Sequence, residues 1–336
     1  MIKSERKEVI SELAQILEIP GHLILQALKM LENKSGYRVW SISKKPSGER
    51  QIQAASFPLN EIQVRIAGKI YPYSISEINH SFVAGRSHRT AVFPHLRANA
   101  FFTFDIKDAF PSTRKKQVAA NFRWIGFKKA VADLMADLIC YSPTEKSEDG
   151  FLPQGYASSP TVFNLILKTT DRVLFGFSQK RGYQVTRYVD DFAISTTQKT
   201  IPKEERKLAI KIVESLSLGN FKIPEEKTSY FEAGKDKVCF EFLGLVIEGP
   251  KRGKREMRVA NEKLADYCWT IHDALEKGDF SNRKVREIRG KVNYLKSVYQ
   301  RQSLPLPARI MELYFQYQQM VEVAKTGQLP LKLSGP

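Results

Sequence analysis

The chain has 336 residues, 42% of them hydrophobic, and 53 Lys and Arg against 36 Asp and Glu give a net charge of +17. This length and hydrophobic fraction exclude a disordered chain and a single small core, and they predict two or three packed subdomains. The charge indicates a polyanionic partner such as nucleic acid, with a ribosomal-type or membrane-surface protein as the alternative.

The compartment can also be predicted from the sequence. Three scattered cysteines suit neither a zinc site nor a disulfide framework. The chain starts with an amphipathic helical pattern in place of a signal peptide, and no apolar run approaches the length of a membrane span. We therefore expect a cytoplasmic protein with no membrane partner.

The first 70 residues combine helices with one hairpin. Apolar residues at helical spacing predict helices over 4–17, from Pro20-Gly21 onward and over 59–70. Residues 37–42 and 51–54 have the composition of strands, and the turn-rich, basic segment 44–50 joins them. A solvated loop would have the same composition as this connection.

The first candidate functional residue along the chain is an aspartate at the end of a predicted strand. Residues 101–104 are aromatic or β-branched, which predicts a strand that delivers Asp105 at its end. Pro111-Ser112 then turns the chain toward helices expected at 113–122 and 128–140.

A second stretch carries two carboxylates. Residues 185–195 predict a β-hairpin with Asp190 and Asp191 at its tip, because β-branched and aromatic residues flank the pair. Adjacent carboxylates repel each other when partly desolvated, and a divalent cation relieves the repulsion. An isolated Asp pair is more often an ordinary turn. If the two strands pair, however, Asp105 and Asp190 could clamp two Mg²⁺ ions about 4 Å apart.

The remaining elements follow from the same patterns. Residues 151–160 form a turn that opens a helix, whose apolar stripe is predicted to include Val162, Leu165, Ile166 and Val173. A helix over 202–216, a hairpin over 238–247, a basic turn over 250–255 and helices from 261 onward complete the chain.

The helix predicted over 282–299 combines a buried stripe with cations. The cations around the stripe are Lys284, Arg286, Arg289, Lys291 and Lys296. Gly290 lowers the stability of this helix by about 1 kcal/mol relative to Ala, which suggests that another backbone approaches closely there. A helix against a nucleic-acid duplex and a solvated basic face are both compatible with this pattern.

Three motifs together resemble reverse transcriptases. They are Phe104-Asp105 with Phe110, Leu152-Pro153-Gln154-Gly155 with Ser158-Ser159-Pro160, and Tyr188-Val189-Asp190-Asp191, in the order that the family shows. The resemblance implies an α+β fold of the right-hand polymerase type, with fingers, a palm built on an antiparallel sheet, and an α-helical thumb. It places N-terminal helices at 1–35, fingers and palm at 36–250, the palm motifs at 101–111, 151–175, 184–196, 219–228 and 238–247, and the thumb and tail at 251–336.

The resemblance also implies roles for individual residues. Catalysis and metal binding would fall to Asp105, Asp190 and Asp191, with the carbonyl of Ile106 as a further metal ligand. Lys227, which matches a Lys-Thr pair of the family, would protonate the leaving pyrophosphate or screen its charge. The nucleotide would be bound by Lys44, Arg50, Arg86, Phe110 and Gln154. Phe110 would exclude a 2′-hydroxyl, with a plain core residue as the alternative.

The implied activity is RNA-directed DNA synthesis with two Mg²⁺ ions, for which Mn²⁺ could substitute. The partners would be a structured non-coding RNA as template or primer, deoxynucleotides and the DNA product, with an accessory effector protein or a second copy of the chain as further candidates. The compact size is similar to the bacterial retron and defence-associated branch, which implies anti-phage defence. The chain departs from retron enzymes at Val189, where they usually carry Ala, at Phe242-Leu243-Gly244, and at residues 90–95.

Three alternatives remain open at this stage. One is a retron enzyme proper that makes branched RNA–DNA. Another is a group II intron-derived, maturase-like protein that only binds RNA, and the last is a DNA-templated or template-independent polymerase. The intact set of Asp105, Asp190 and Asp191 favours an enzyme, because a protein that only binds RNA does not need three carboxylates in a basic chain.

Overall fold

The computed structural model describes residues 3–43, 48–143, 150–155, 158–217, 220–234, 237–250 and 255–326. The chain divides into two compact units. One consists of Met1–Ala91 and Phe101–Tyr230, and the other of Val92–Ala100 and Phe231–Pro336. The subdomain boundaries expected after residues 35 and 250 remain predictions.

The first unit is mainly helical. Its helices are α1 (Lys3–Leu17), α2 (Gly21–Glu32), α3 (Leu59–Ile70), α4 (His88–Val92, which ends at the boundary), α5 (Ala109–Ser112), α6 (Lys115–Trp124), α7 (Lys129–Ile139), α8 (Ser159–Gln179) and α9 (Lys203–Leu216). In α3, Leu59, Ile62, Ile66 and Ile70 are buried at spacings of three and four residues. The helix predicted over 59–70 is thus confirmed.

The apolar stripe of α8 differs from the prediction in one position. Val162, Leu165 and Ile166 are buried as expected. Val173, however, is 41% exposed, and the residue that continues the stripe is Leu174. At a helical rotation of 100° per residue, position 174 lies in line with Phe163 and Leu167, which are also buried.

Two sheets contribute to the first unit. Strands β1 (Tyr37–Ser43) and β2 (Glu49–Ala55) form the predicted antiparallel hairpin. The other sheet has the order β4-β5-β3-β6, with β3 (Ala100–Asp105), β4 (Gln184–Tyr188), β5 (Asp191–Thr196) and β6 (Thr228–Glu232). Strands β4 and β5 form the predicted antiparallel hairpin around residue 190.

The second unit combines a sheet with helices. Strands β7 (Lys237–Phe242), β8 (Leu245–Pro250) and β9 (Glu256–Val259) form an antiparallel sheet, and α10 (Asn261–Glu276), α11 (Asn282–Tyr299) and α12 (Ala308–Thr326) follow it. The bounds of α11 are those predicted. A Cβ added at Gly290 would meet nothing within 4 Å, so no described part of the chain explains this glycine. No helix of the described residues is both long and apolar enough to cross a membrane.

Candidate active site

The ends of β3 and β5 carry the predicted carboxylates side by side. Phe104 stacks on Phe192, with ring centroids 5.0 Å apart and planes inclined by 7°. Both rings are buried in the core on one face of the sheet. Because successive side chains of a strand point to opposite faces, Asp105 and Asp191, the neighbours of these rings in sequence, emerge on the other face. The aromatic pair therefore aligns the carboxylates.

These carboxylates open onto one cavity. It has a volume of about 500 Å³, and Asp105, Asp190 and Asp191 line it together. Four other residues singled out from the sequence also line it: Arg50, Ile106, Gln154 and Lys227. Residues more than 170 positions apart in the sequence thus meet at one place within the first unit.

Burial, and then mutual repulsion, raise the pKa values of two carboxyls in this cluster. Burial, followed by the negative charge of Asp105, raises the pKa of Asp190 to about 6. Burial, followed by the charges of Asp190 and Asp105, raises the pKa of Asp191 to about 7. Two neighbouring carboxyls with raised pKa values are a site at which an additional positive charge would be stabilising.

Lys227 supplies one positive charge. Its Nζ donates to Oδ2 of Asp105, and this hydrogen bond raises the pKa of the ammonium group. The other carboxylate oxygen of Asp105, Oδ1, is buried without a hydrogen-bond partner in the part of the chain that the structure describes. A buried acceptor that no donor satisfies, next to two carboxyls with raised pKa values, fits the oxygen ligands that Mg²⁺ and Mn²⁺ prefer.

The raised pKa of Asp191 predicts how the stability of the metal-free protein depends on pH. The folded form holds the proton up to about pH 7, whereas an unfolded Asp releases it near pH 3.9. The folded form therefore binds more protons between these values, and its stability falls as the pH rises through this window. Asp191→Asn removes the titration, so at pH 8 the variant should be more stable by about 1–4 kcal/mol, at about 1.4 kcal/mol per unit.

Urea unfolding in EDTA at pH 5, 6, 7 and 8 measures the difference between wild type and Asp191→Asn. We expect the difference to grow with pH. Mg²⁺ added at pH 8 provides the control, because it should stabilise the wild type more than the variant. A difference that does not change between pH 5 and pH 8 would contradict the raised pKa.

The β1–β2 hairpin is tied to the segment around Gln154. The backbone N–H of Gln53 donates to the carbonyl of Gln154 (2.9 Å), and the N–H of Gln154 donates to Oε1 of Gln53 (3.0 Å). Gly155 has a φ of +98°, and a Cβ there would lie 2.5 Å from Cγ2 of Ile52. Only glycine fits this turn without a shift. The cavity thus has one wall formed by the hairpin, from which Arg50 lines it.

Phe110 lies beside the cavity. Its ring stacks on Phe163 with centroids 5.0 Å apart, and its neighbours in sequence, Ala109 and Pro111, line the cavity. The ring is only partly exposed. This position is compatible both with a contact to the sugar and with a core residue, so the role of Phe110 in sugar selection remains a prediction.

The two remaining predicted nucleotide ligands are Lys44 and Arg86. Lys44 lies outside the described residues. Arg86 is among the described residues, but its Nη1 donates to the carbonyl oxygens of Ser76 (2.6 Å) and Asn79 (2.5 Å) in the loop before it. These contacts stabilise the loop, and a contact of Arg86 with a nucleotide remains a prediction.

The predicted nucleic-acid ligands on α11 belong to the second unit. Two of the five are paired within the protein: Lys284 with Glu287 (2.9 Å) and Lys291 with Asp266 (2.8 Å). Arg286 and Arg289 are exposed on the helix, and Lys296 is partly exposed. The role of these five cations in binding nucleic acid remains a prediction.

A buried ion pair beneath the hairpin was not predicted from the sequence. Arg187 and Asp171 are both fully buried, and Nε and Nη2 of Arg187 donate to the two carboxylate oxygens of Asp171 at 2.7 and 2.6 Å. Asp171 lies on the buried face of α8, between Leu167 and Leu174. A charged residue on such a face was the signal that could have revealed the pair.

A sheet that aligns three carboxylates on a cavity, beside a hairpin that carries Arg50, has the architecture of the palm and fingers of a right-hand polymerase, and the predicted α+β fold class is confirmed. The chain belongs to the reverse transcriptase (RNA-dependent DNA polymerase) family, whose model matches residues 42–247.

Its curated relatives include retron reverse transcriptases, as the motifs predicted. The chain is 30% identical to the retron Mx65 reverse transcriptase of Myxococcus xanthus over 57% of its own length and 47% of that protein. It is 24% identical to the retron Mx162 enzyme of the same species (72% and 53%) and 25% identical to the retron Ec86 enzyme of Escherichia coli (78% and 76%). The matched region thus spans about half the length of the two Myxococcus relatives.

Solved structures similar to this chain include two telomerases. One is from Candida albicans, in complex with a TWJ fragment of telomeric RNA, with a TM-score of 0.45 and 10% identity over 88% of this chain and 61% of that one. The other is an apo telomerase from Candida tropicalis, with a TM-score of 0.40 and 13% identity over 72% and 60%.

Proposed function

We propose that this chain is an RNA-directed DNA polymerase that extends a primer by two-metal-ion nucleotidyl transfer. The observation that carries the proposal is the meeting of Asp105, Asp190, Asp191 and Lys227 in one cavity, within the region that matches the reverse transcriptase family. The reaction joins the 3′-oxygen of the primer to the α-phosphorus of a deoxynucleoside triphosphate. The bond to pyrophosphate breaks, and the hydroxyl proton is lost.

The carboxylates would hold the metal ions. Asp105 and Asp190 would bind both, with the carbonyl of Ile106 as a further ligand and Asp191 in support. Mg²⁺, or Mn²⁺ in its place, would lower the pKa of the attacking hydroxyl and neutralise the triphosphate. Lys227 keeps its proton because of its raised pKa. Lys227 would protonate the leaving pyrophosphate or screen its charge.

Residues around the carboxylates would position the nucleotide. Arg50 lines the cavity from β2, where its guanidinium could bind the triphosphate in a bidentate manner. Gln154, held by its two backbone hydrogen bonds to Gln53, would lie near the sugar and base. Lys44 and Arg86 complete the set taken over from the family resemblance.

Phe110→Ala is expected to admit ribonucleotides. An aromatic ring below the sugar collides with a 2′-hydroxyl, and removing such a barrier typically changes discrimination by about 10- to 200-fold. The measurement is the ratio of kcat/KM for a deoxynucleotide and the matching ribonucleotide. Phe163→Leu, which alters the stacking partner behind Phe110, is the control for a general loosening of the core. An unchanged ratio in Phe110→Ala would show that Phe110 is a core residue only.

We also propose a biological role for this activity. The similarity to retron reverse transcriptases supports a bacterial, cytoplasmic enzyme that copies a partner non-coding RNA, in anti-phage defence. The cations of α11 would bind the template–primer duplex. A retron enzyme that makes branched RNA–DNA is the first alternative, and the RNA-binding and template-independent readings are the others.

One experiment distinguishes the proposed function from these alternatives. The protein is purified with the nucleic acid that accompanies it and supplied with labelled deoxynucleotides and Mg²⁺, after which the bound RNA and the product are sequenced. A DNA product complementary to one co-purifying RNA supports the proposal. Bound RNA without synthesis favours the RNA-binding protein, and synthesis without any RNA favours the template-independent polymerase.

A further inference from the structure

The turn that carries Asp190 has an unfavourable backbone conformation. Val189 and Asp190 form a two-residue loop between the paired residues Tyr188 and Asp191. The φ of Val189 is +58°, in the left-handed region that β-branched residues rarely adopt. Glycine or asparagine is usual at such a position of a hairpin. Surrounding groups must therefore hold Val189 in this conformation.

Two side chains hold the backbone of Val189 from both sides. Its N–H donates to Oγ of Ser81 at 2.9 Å, and its carbonyl oxygen accepts from Nη1 of Arg187 at 2.7 Å. Ser81 and Arg187 are both fully buried. The hydroxyl of Ser81 in turn donates to Oδ1 of Asn79 at 2.9 Å, which leaves a lone pair of the oxygen directed at Val189.

Arg187 is itself immobilised. Asp171 binds its guanidinium through two oxygens, and the hydroxyl of Ser76 donates to Oδ2 of Asp171 at 2.5 Å. The backbone of Arg187 also bonds the segment before Ser81, because its N–H donates to the carbonyl of Ile78 (2.7 Å). The guanidinium of Arg187 is therefore held in one position, from which it donates to the carbonyl of Val189.

We propose that Ser81, Arg187 and Asp171, here called the turn clamp, are positioning residues that hold Val189 in its left-handed conformation and thereby set the place of Asp190 against Asp105. The backbone supports this coupling, because the N–H of Ile106 donates to the carbonyl of Asp190 at 3.4 Å. A turn that relaxed at Val189 would move both the carboxylate and this carbonyl. The inference rests on the proposed function in assigning Asp105 and Asp190 to the metal site.

The test compares two serines with the same local role. Ser81→Ala removes the acceptor for the N–H of Val189. Ser217→Ala removes an equally buried hydroxyl that accepts from the N–H of Phe221 at 3.0 Å, and neither Ser217 nor Phe221 lines the cavity. We measure the melting temperature, the Mn²⁺ affinity from the EPR signal of free Mn²⁺, and kcat and KM on a primed RNA template.

We expect Ser81→Ala to lower kcat and Mn²⁺ affinity by between about ten- and a hundredfold, since a displacement of about 1 Å in a reacting group can cost about a hundredfold. Ser217→Ala should lower the melting temperature only. Val189→Gly, which adopts a positive φ without strain, should restore most of the lost kcat and Mn²⁺ affinity when it is added to Ser81→Ala. If Ser81→Ala only destabilised the fold, Val189→Gly would not restore kcat or Mn²⁺ affinity.

The outcomes separate the clamp from the polymerase. If Ser81→Ala keeps Mn²⁺ affinity and kcat within twofold of wild type while DNA synthesis is normal, the turn clamp is overturned and the polymerase stands. If wild type makes no DNA, but Mn²⁺ affinity falls in Ser81→Ala and returns with Val189→Gly, the clamp stands and the proposed function falls. If wild type neither binds Mn²⁺ nor makes DNA, both are overturned. Should Ser81→Ala fail to fold, Ser81→Cys keeps a weak acceptor and should give a smaller loss of the same kind.

Discussion

Asp190→Asn is expected to lower DNA synthesis by at least about a thousandfold. The substitution keeps the shape of the side chain and removes the negative charge between Asp105 and Asp191. Metal ions contribute several kcal/mol of charge stabilisation to the transition state, and each 1.36 kcal/mol is tenfold in rate. The measurement is single-turnover extension of a primed RNA template by wild type and variant, with bound template measured separately.

A second aspartate of the same cavity provides the control. Asp108 also lines the cavity, but its side chain is exposed and its φ is +47°. Asparagine tolerates this conformation as well as aspartate does, so Asp108→Asn should leave extension within a few-fold of wild type. Synthesis by Asp190→Asn within tenfold of wild type would contradict the metal site. If wild type and Asp190→Asn bind RNA equally and the wild type makes no DNA, a protein that only binds RNA would be favoured.

The positions of the carboxylates could be predicted from the sequence because the evidence is local. The aromatic residues beside Asp105 and Asp191 make each strand recognisable, and alternation places the carboxylate opposite the ring. The pairing of β3 with β5 is not local, and it came from the resemblance of ordered motifs. The same holds for Lys227, which is 122 residues from Asp105 and whose contact with it no periodicity predicts.

The burial of Arg187 could not be predicted from the sequence, for a physical reason. Strand β4 is covered on both faces, so Val185, Thr186 and Arg187 are buried in succession, and no alternation marks an inward residue. A charged residue in such a strand is ordinarily taken as exposed. Conversely, the cationic pattern of α11 does not show that Lys284 and Lys291 have acidic partners within the protein, on the next turn of α11 and on α10.

Asp171→Asn is expected to cost about 3–5 kcal/mol of folding free energy, the range for breaking a buried ion pair by removing one partner. The side-chain volume is kept, but Arg187 remains as an uncompensated charge in a site with no solvent access. The measurement is the free energy of unfolding in urea. Asp133→Asn is the control, because Asp133 pairs with Arg123 and Lys129, each at 2.9 Å, on the surface, where a pair contributes about 0–1 kcal/mol. Equal losses in the two variants would show that burial does not set the cost.

The double variant Asp171→Leu/Arg187→Met tests whether the buried ion pair only stabilises the core or also positions Asp190. Replacing both members of a buried ion pair by apolar residues is often neutral or stabilising, so the double variant should recover much of the stability that Asp171→Asn loses. It lacks the guanidinium that donates to the carbonyl of Val189. If the turn clamp positions Asp190, Mn²⁺ affinity and kcat should therefore stay low in a protein that folds well. Recovery of folding and synthesis together would mean that the pair only fills and neutralises the core. Folding without synthesis would mean that the charged pair serves the geometry of the carboxylates, at a site where an apolar core would be at least as stable.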